Sequence, residues 1–435
     1  MKKSLLAVAA MTAFAGAAQA QSSVTVYGIL DVGYVGSSYK GTSGTANAVS
    51  VGNSSETGGV TQSATMNTIG QSAESTSRLG FKGVEDLGGG KSAVFTVEGA
   101  LNPNGAASFF TVTRQAFAGL SSKGLGTLTA GTQYTPIFDV QSITDAAGNN
   151  NLIGNAVYSG SPQSSGGTMN TGIGVYNGQN ATSNAGLTAN NAAYVTRMSN
   201  ALKFQSDRIG GVQGQLYYAQ ANSSATQTGL NYAAGVTGGG VSNNTVIGAN
   251  LDYVWNKLQV VAAYQNFRAY NAANQTAANT ALTTTISAAI AGTFGLNDID
   301  VQQYAAATYD FGILKAYAQY GTRKITSIID GSYTATRSAS QLGVKSQLTP
   351  VISAYATAGM GNSSIFGQSI PKQNFRTFQI GSDYYLSKRT NLYVAYGSYN
   401  QSGNGTTGLG TSTAAGAASV GTSGANYAVG LRHTF

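Results

Sequence analysis

The sequence predicts an all-β fold, namely a 16-stranded antiparallel transmembrane β-barrel, because about sixteen segments have the pattern of a strand. Three observations predict it. Segments of about ten residues alternate between apolar and polar positions, short and long connections follow one another, and only 9% of the residues are charged. Because lipid offers no hydrogen-bonding partners, a sheet that spans it must close and leave no unpaired edge.

The alternation of apolar and polar residues is clearest at the first predicted strand, over 24–38. Its even positions include the apolar Val24, Val26 and Leu30, and its odd positions include the polar Thr25 and Asp31. One face can therefore meet lipid while the other meets water. The other segments of this kind lie near 76–85, 91–99, 112–121, 125–133, 194–206, 211–221, 244–255, 258–268, 301–309, 313–323, 334–347, 351–360, 375–386, 391–399 and 424–435.

The connections between these segments fall into two length classes. The short ones are near 86–90, 122–124, 207–210, 256–257, 310–312, 348–350 and 387–390. The long ones, rich in Gly, Ser, Asn, Thr and Ala, are near 39–75, 134–193, 222–243, 269–300 and 400–423. Barrels of the outer membrane have short periplasmic turns and long extracellular loops. At about sixteen strands such a barrel is too wide for side chains to fill, so it keeps a water channel.

The N-terminus has the features of an export signal. Lys2 and Lys3 precede an apolar run, and Ala18-Gln19-Ala20 supplies the small residues that signal peptidase requires. We predict a cleaved signal peptide over 1–20 and a barrel domain over 21–435, located in the cell outer membrane. Cleavage would lower the net charge from +8 to about +6.

Several other classes of protein are excluded or disfavoured. The chain has no cysteine for disulfides or thiolate metal sites, and no cofactor is predicted. The longest apolar run after the signal, Leu282–Phe294, is too short for a membrane helix. Basic residues do not form the runs or faces of a nucleic-acid binder. His433 is the only histidine, so a catalytic triad or a multi-histidine metal site has one possible centre, and no enzyme activity is expected.

Five stretches, taken in order, resemble the general porins of β-proteobacteria. They are Val24–Asp31, Ser77–Gly90, Arg114–Leu120, Tyr385–Thr390 and Val429–Phe435. The resemblance covers the whole mature chain. It implies a homotrimer in the outer membrane through which ions and small hydrophilic solutes diffuse passively.

The resemblance also implies roles for a loop and for the last residue. It implies that the third extracellular loop, here 134–193, folds into the pore, where its acidic residues face basic residues of the wall. Asp139 and Asp145 are the acids of this loop, and Thr132 stands where relatives often carry arginine. The resemblance further implies that the terminal Phe435 is recognised by the barrel-assembly machinery. We place Phe435 and His433 on the outward face of the last strand by alternation.

Alternation also assigns the charged residues to faces. In 194–206 it places Tyr194, Met198 and Leu202 outward and Arg197 and Lys203 inward. The predicted inward basic residues are Arg78, Lys82, Arg114, Arg197, Lys203, Lys315, Arg323 and Lys345. The predicted inward acids are Asp31, Glu98, Asp252 and Asp383. Because Lys and Arg in a pore raise the local anion concentration, this excess predicts a mild preference for anions.

Tyrosines near predicted strand ends suggest aromatic girdles at the lipid headgroup level. They are Tyr34, Tyr194, Tyr218, Tyr264, Tyr320 and Tyr399. An outer-membrane position makes lipid and lipopolysaccharide the surroundings of the barrel.

Three other functions remain open from the sequence. Loop 134–193 could bind a specific solute, which would make the channel substrate-selective. The Ser- and Gly-rich connections 39–75 and 400–423 could act in adhesion, with conduction incidental. The chain could also be a secreted, soluble β-protein.

Overall fold

The computed structural model describes residues 23–43, 60–101, 103, 110–158, 188–190, 193–225, 240–271, 298–328, 331, 334–365, 372–402 and 420–435. The predicted signal peptide and the segment Leu282–Phe294 lie outside the described residues, as do parts of the long connections. In the described part of the chain, no helix has both the length and the apolar character needed to cross a membrane.

The described residues form one antiparallel sheet of eighteen strands, which closes on itself as a barrel of sixteen wall strands: two of the eighteen share one place in the wall, and a short three-residue strand, 188–190, pairs with the strand that follows it. The strands are β1 Ser23–Ser43, β2 Val60–Gln71, β3 Arg78–Gly88, β4 Lys91–Leu101, β5 Phe110–Ser122, β6 Gly126–Tyr134, β7 Thr188–Asn190, β8 Val195–Ser206, β9 Val212–Ala225, β10 Gly240–Trp255, β11 Leu258–Asn271, β12 Asp298–Asp310, β13 Lys315–Ser327, β14 Thr334–Thr349, β15 Ile352–Ile365, β16 Gln373–Tyr385, β17 Thr390–Gln401 and β18 Val420–Thr434. The helix α1 spans Pro136–Ile143. Pairing of β1 with β18, with Asp31 opposite Arg432, closes the barrel.

The second wall strand is built from two pieces. β1 pairs with β3 over Ser23–Ile29 and with β2 over Val32–Ser43. The expectation that 39–75 is entirely a loop is therefore wrong, because residues 60–71 continue the wall. The residues of β2 are mostly polar or small on both faces. Without an apolar face there is no alternation from which the sequence could predict this strand.

The outer face carries the apolar residues that alternation placed there. Val24, Leu120, Leu216 and Leu342 are all more than half exposed. A soluble protein rarely exposes so much apolar surface, whereas lipid favours it. Four of the six tyrosines predicted for the girdles are exposed on this face, namely Tyr34, Tyr218, Tyr264 and Tyr320. The other two, Tyr194 and Tyr399, are buried, so their predicted placement is wrong.

At Met198 a bulge makes the face predicted from apolar–polar alternation wrong. The register between β6 and β8 shifts between Gly131 and Gln133, and Asn200 has a positive φ of 55°. The irregularity ends the alternation in this part of β8: every residue from Val195 to Met198 is buried, and Met198 packs in a cluster with Val195 and Phe267. Its predicted outward position is therefore wrong, although Leu202, beyond the bulge, is exposed as predicted.

Candidate pore and its charged wall

The residues that follow β6 contact the inner face of the barrel. We call residues 136–158 the inner segment; it begins with α1 and is almost entirely buried. The backbone N–H of Ile137 donates to Gln265 Oε1 of β11 at 3.4 Å. The N–H of Ala156 donates to Gln341 Oε1 of β14 at 2.7 Å. The two ends of the inner segment are thus held by different parts of the wall.

The middle of the inner segment contacts the region where the first and last strands pair. The N–H of Asn151 donates to the carbonyl oxygen of Ala73 at 3.0 Å, and its side-chain amide donates to that of Ser72 at 2.6 Å. The N–H of Ile153 donates to Asn426 Oδ1 of β18 at 3.2 Å. These contacts attach the inner segment to the wall near β1 and β18.

Asp145 holds the inner segment in shape. Its carboxylate accepts hydrogen bonds from the N–H of Asn149 at 2.8 Å and from Asn155 Nδ2 at 3.0 Å. Gln319 and Gln341 on the wall also donate to it, each at 3.2 Å. Burial raises the pKa of Asp145, and the hydrogen bonds from Asn149 and Gln319 oppose that rise. The basic wall residue Lys345 also interacts electrostatically with Asp145, so this acid has a basic wall residue near it, as the family resemblance implied.

Asp139 does face a basic wall residue. It lies in the first turn of α1, where the helix dipole favours negative charge. Lys203 Nζ of β8 lies 2.6 Å from Asp139 Oδ2. Gln215 Nε2 of β9 donates to the same oxygen at 2.7 Å. This carboxylate therefore joins the inner segment to two strands of the wall.

Three arginines lie together beside the inner segment; we call Arg78, Arg114 and Arg197 the arginine cluster. Arg114 Nε lies 2.7 Å from Glu98 Oε1, and Arg114 Nη2 donates to the Tyr134 hydroxyl at 2.6 Å. Arg78 and Arg197 each interact electrostatically with Arg114. Among the described residues, three guanidinium groups thus interact with the carboxylate of Glu98, so basic groups outnumber acidic ones in this cluster.

A bulge places Arg114 in this cluster. Glu98 pairs with Gln115 and Gly99 pairs with Thr113, so Arg114 is the extra residue of β5. Simple alternation along β5 predicted the inward position of Arg114, but the bulge provides it.

The other predicted basic residues also lie on the inward parity of their strands. Arg323 forms a buried ion pair with Asp300, with Nη2 and Oδ2 2.6 Å apart. The ammonium group of Lys315 lies 5.2 Å from the ring centre of Tyr317, and Lys315 is paired opposite Lys345. Lys82 Nζ lies 5.3 Å from the ring centre of Tyr27.

The predicted inward acids are all buried within the barrel, and several have neutral partners. Asp31 accepts a hydrogen bond from the Tyr393 hydroxyl at 2.6 Å. Asp383 accepts from Ser353 Oγ and from the Asn391 amide, each at 3.0 Å. Asp252 forms an ion pair with Arg208. Glu98 belongs to the arginine cluster described above.

The sequence reasoning missed other charged residues of the interior. Arg337 donates to the carbonyl oxygen of Ala156 at 2.9 Å and lies 4.4 Å from the ring centre of Phe375. It has the same parity as Lys345, so alternation could have found it. Glu74, paired with Arg432 at 2.9 Å, lies in a stretch predicted as loop, as does Asp300. Arg337 and Arg432 add two basic groups while Glu74 and Asp300 add two acidic ones, so together they leave the predicted excess of inward basic charge unchanged.

An apolar outer face, a closed sheet and a charged inner face define a transmembrane β-barrel channel. Among the described residues, no group of His, Cys, Asp and Glu could hold a metal ion. The chain belongs to the Gram-negative porin family, whose model matches residues 7–404. It is an outer-membrane porin, a channel for small solutes.

One sequence relative and two solved structures are similar to this chain. An outer membrane porin protein of Bordetella pertussis is 27% identical over 419 residues, which cover 92% of this chain and 94% of the relative. The structure of an anion-selective porin from Comamonas acidovorans matches with a TM-score of 0.62 at 20% identity, over 95% of this chain and all of that one. A trimer form of OmpT, an outer membrane protein of Vibrio cholerae, matches with a TM-score of 0.55 at 14% identity, over 95% of this chain and 99% of that one. At these identities the solved structures show a shared fold.

Proposed function

We propose that this porin is a passive diffusion channel with a weak preference for anions. The observation that carries the proposal is the arginine cluster, in which three guanidinium groups accompany one carboxylate beside the inner segment. Basic groups in a pore raise the local concentration of anions and disfavour cations. The preference is weak because other parts of the interior contain acidic residues, such as Asp31 and Glu74, which among the described residues share the one basic partner Arg432.

The inner segment is the constriction of this channel. Its hydrogen bonds to β11, β14 and β18 support this role. Because these strands lie in different parts of the wall, the segment extends across the interior and does not follow a single strand. The arginine cluster lies next to it, through the hydrogen bond between Arg114 and Tyr134, the last residue of β6. Ions that pass the constriction therefore pass close to the cluster. The relative from Comamonas acidovorans, described as anion-selective, is consistent with this arrangement.

Charge reversal in the arginine cluster tests the proposal. The double variant Arg78→Glu, Arg114→Glu should reverse the sign of the reversal potential that a KCl gradient produces across a planar bilayer. A matched control is Lys123→Glu, Lys388→Glu, which changes the same number of charges at exposed residues in two short turns. The control should retain the wild-type sign. Cation preference in the wild-type protein, or anion preference unchanged in the Arg78, Arg114 variant, would overturn the proposal.

We also propose how the chain is processed and assembled. The protein is a homotrimer whose signal peptide 1–20 is removed on export, with lipid and lipopolysaccharide around it and the barrel-assembly machinery acting on Phe435. The trimer form of the Vibrio cholerae protein supports the oligomeric state. Single-channel recordings should show closure in three equal steps, and sequencing of the mature N-terminus should begin at Gln21.

A further inference from the structure

The second wall strand is interrupted between its two pieces, β2 and β3, by residues 72–77, which we call the wall insertion. On β1, only Leu30 and Asp31 lie between the residue paired with Arg78 and the residue paired with Gln71. The ladder has no room for the extra residues of the second strand, so the wall insertion leaves the sheet as a large bulge.

Asp31 binds both ends and the middle of the wall insertion. Its carbonyl oxygen accepts a hydrogen bond from the N–H of Ser72 at 2.8 Å, and its N–H donates to Ser77 Oγ at 3.0 Å. Its carboxylate Oδ2 accepts from the N–H groups of Glu74 at 2.8 Å and Ser75 at 2.6 Å. Because the Asp31 side chain is fully buried inside the barrel, these hydrogen bonds hold the wall insertion on the lumen side of the sheet.

The wall insertion also contacts the inner segment and β18. The side-chain amide of Asn151 donates to the carbonyl oxygen of Ser72 at 2.6 Å and to Thr76 Oγ1 at 3.2 Å. Glu74 forms an ion pair with Arg432 of β18, at 2.9 Å. The wall insertion is therefore fixed by β1, by β18 and by the inner segment, and its backbone cannot shift without breaking several of these contacts.

One side chain of the wall insertion contacts the arginine cluster. Arg78 Nη2 donates a hydrogen bond to Ser75 Oγ at 2.9 Å. Arg78 also interacts electrostatically with Arg114, and the two positive charges repel each other. A hydrogen bond from a charged donor is stronger than one between neutral groups. The Ser75 hydroxyl therefore opposes the repulsion and keeps Arg78 beside Arg114.

We propose that Ser75 is a positioning residue for ion selectivity, which holds Arg78 in the arginine cluster, and that Asp31 fixes Ser75 by binding the backbone of the wall insertion. Alternation placed Asp31 among the charges of the pore. In this proposal Asp31 affects selectivity through the position of Arg78 as well as through its own charge. The inference rests on the proposed function, because it requires that the arginine cluster sets the preference for anions.

Reversal potentials across a planar bilayer under a KCl gradient test the role of Ser75. Ser75→Ala changes no charge, yet the reversal potential should shift toward zero, because Arg78 moves away from the cluster. Ser75→Thr keeps the hydroxyl and should retain the wild-type value. The control Ser340→Ala removes a hydroxyl that is exposed on β14 and should also retain it. A wild-type reversal potential in Ser75→Ala would overturn the proposal.

A double variant shows whether Ser75 acts through Arg78. Arg78→Gln removes the charge and should itself shift the reversal potential toward zero. Adding Ser75→Ala to Arg78→Gln should cause no further shift, because the group that Ser75 positions no longer carries a charge. A further shift as large as that of Ser75→Ala alone would refute the positioning role. No shift in Arg78→Gln would overturn the proposed function and this inference with it, whereas a shift in Arg78→Gln with none in Ser75→Ala overturns the inference alone.

Two neutral replacements of Asp31 separate its binding of the wall insertion from its charge. Asp31→Asn keeps an oxygen that accepts from the N–H groups of Glu74 and Ser75, whereas Asp31→Ala keeps none. Both remove the same charge, so the anion preference should be lower in Asp31→Ala than in Asp31→Asn. Equal preference in the two would mean that Asp31 acts through its charge alone, which would contradict the proposal. Heat-modifiable migration in electrophoresis verifies that each variant is folded, and the Ser75 variants test the proposal even where Asp31→Ala does not fold.

Discussion

At the residue scale, Glu98 limits the positive charge of the arginine cluster. Its carboxylate is the acidic partner of Arg114, at 2.7 Å. Glu98→Gln keeps the size and polarity of the side chain and removes its charge, so anion preference should increase. The measurement is the reversal potential under a KCl gradient. The increase should shrink in molar salt, where the Debye length falls from about 10 Å to about 3 Å.

The control for this variant is Asp310→Asn, which removes a carboxylate from an exposed residue beside a short turn. It should leave the reversal potential unchanged. An equal change in both variants would mean that total charge, and not the arginine cluster, sets the preference.

Gly28 allows the first and last strands to approach each other closely. A Cβ added there would lie 2.4 Å from the Phe435 ring and 2.6 Å from the carbonyl oxygen of Arg78. Gly28→Ala should therefore destabilise the barrel by about 1–3 kcal/mol, the usual cost of overpacking. The temperature at which heat-modifiable migration is lost should fall. At Gly331 an added Cβ meets nothing within 4 Å, so Gly331→Ala is the matched control and should unfold at the wild-type temperature.

At the element scale, the sequence predicts a strand correctly where the strand lies between lipid and water. Where one face meets lipid and the other meets water, alternation predicted the wall strands and placed residues such as Arg323 and Lys345 inward. It failed at β2, where both faces are polar, and at Met198, where a bulge ends the alternation. The short-range pattern also says nothing about the partners of the inner segment, because Asp145 and Gln341 are far apart in the sequence.

The inner segment depends on two glutamines of the wall. Gln319 and Gln341 each donate to Asp145, and Gln341 also accepts from the N–H of Ala156. Replacing both with alanine should loosen the segment and raise the single-channel conductance above that of the wild type. Gln347→Ala, at the exposed end of β14, is the control and should not change it. Unchanged conductance in the Gln319, Gln341 double variant would show that the segment is not the narrowest part of the channel.

At the scale of the whole molecule, the closing pair of strands depends on its last residue. The N–H of Phe435 donates to the carbonyl oxygen of Gly28, and the N–H of Gly28 donates back to Phe435, both at 3.1 Å. Deleting Phe435 removes both bonds and the ring, so the yield of folded, heat-modifiable protein should fall severalfold. Channels that do form should have the wild-type reversal potential. Phe435→Trp keeps the backbone bonds and an aromatic ring, and should assemble well; a normal yield after deletion would contradict the role of Phe435.

The attachment of Asn151 to Ser72 and Ala73 links the constriction to the place where the barrel closes. Leu152 packs beside it against Val35 of β1 and Ala428 of β18, the two strands that join last in the chain order. Because the inner segment and the closing strands share these contacts, we expect a variant that weakens the closure to loosen the constriction as well.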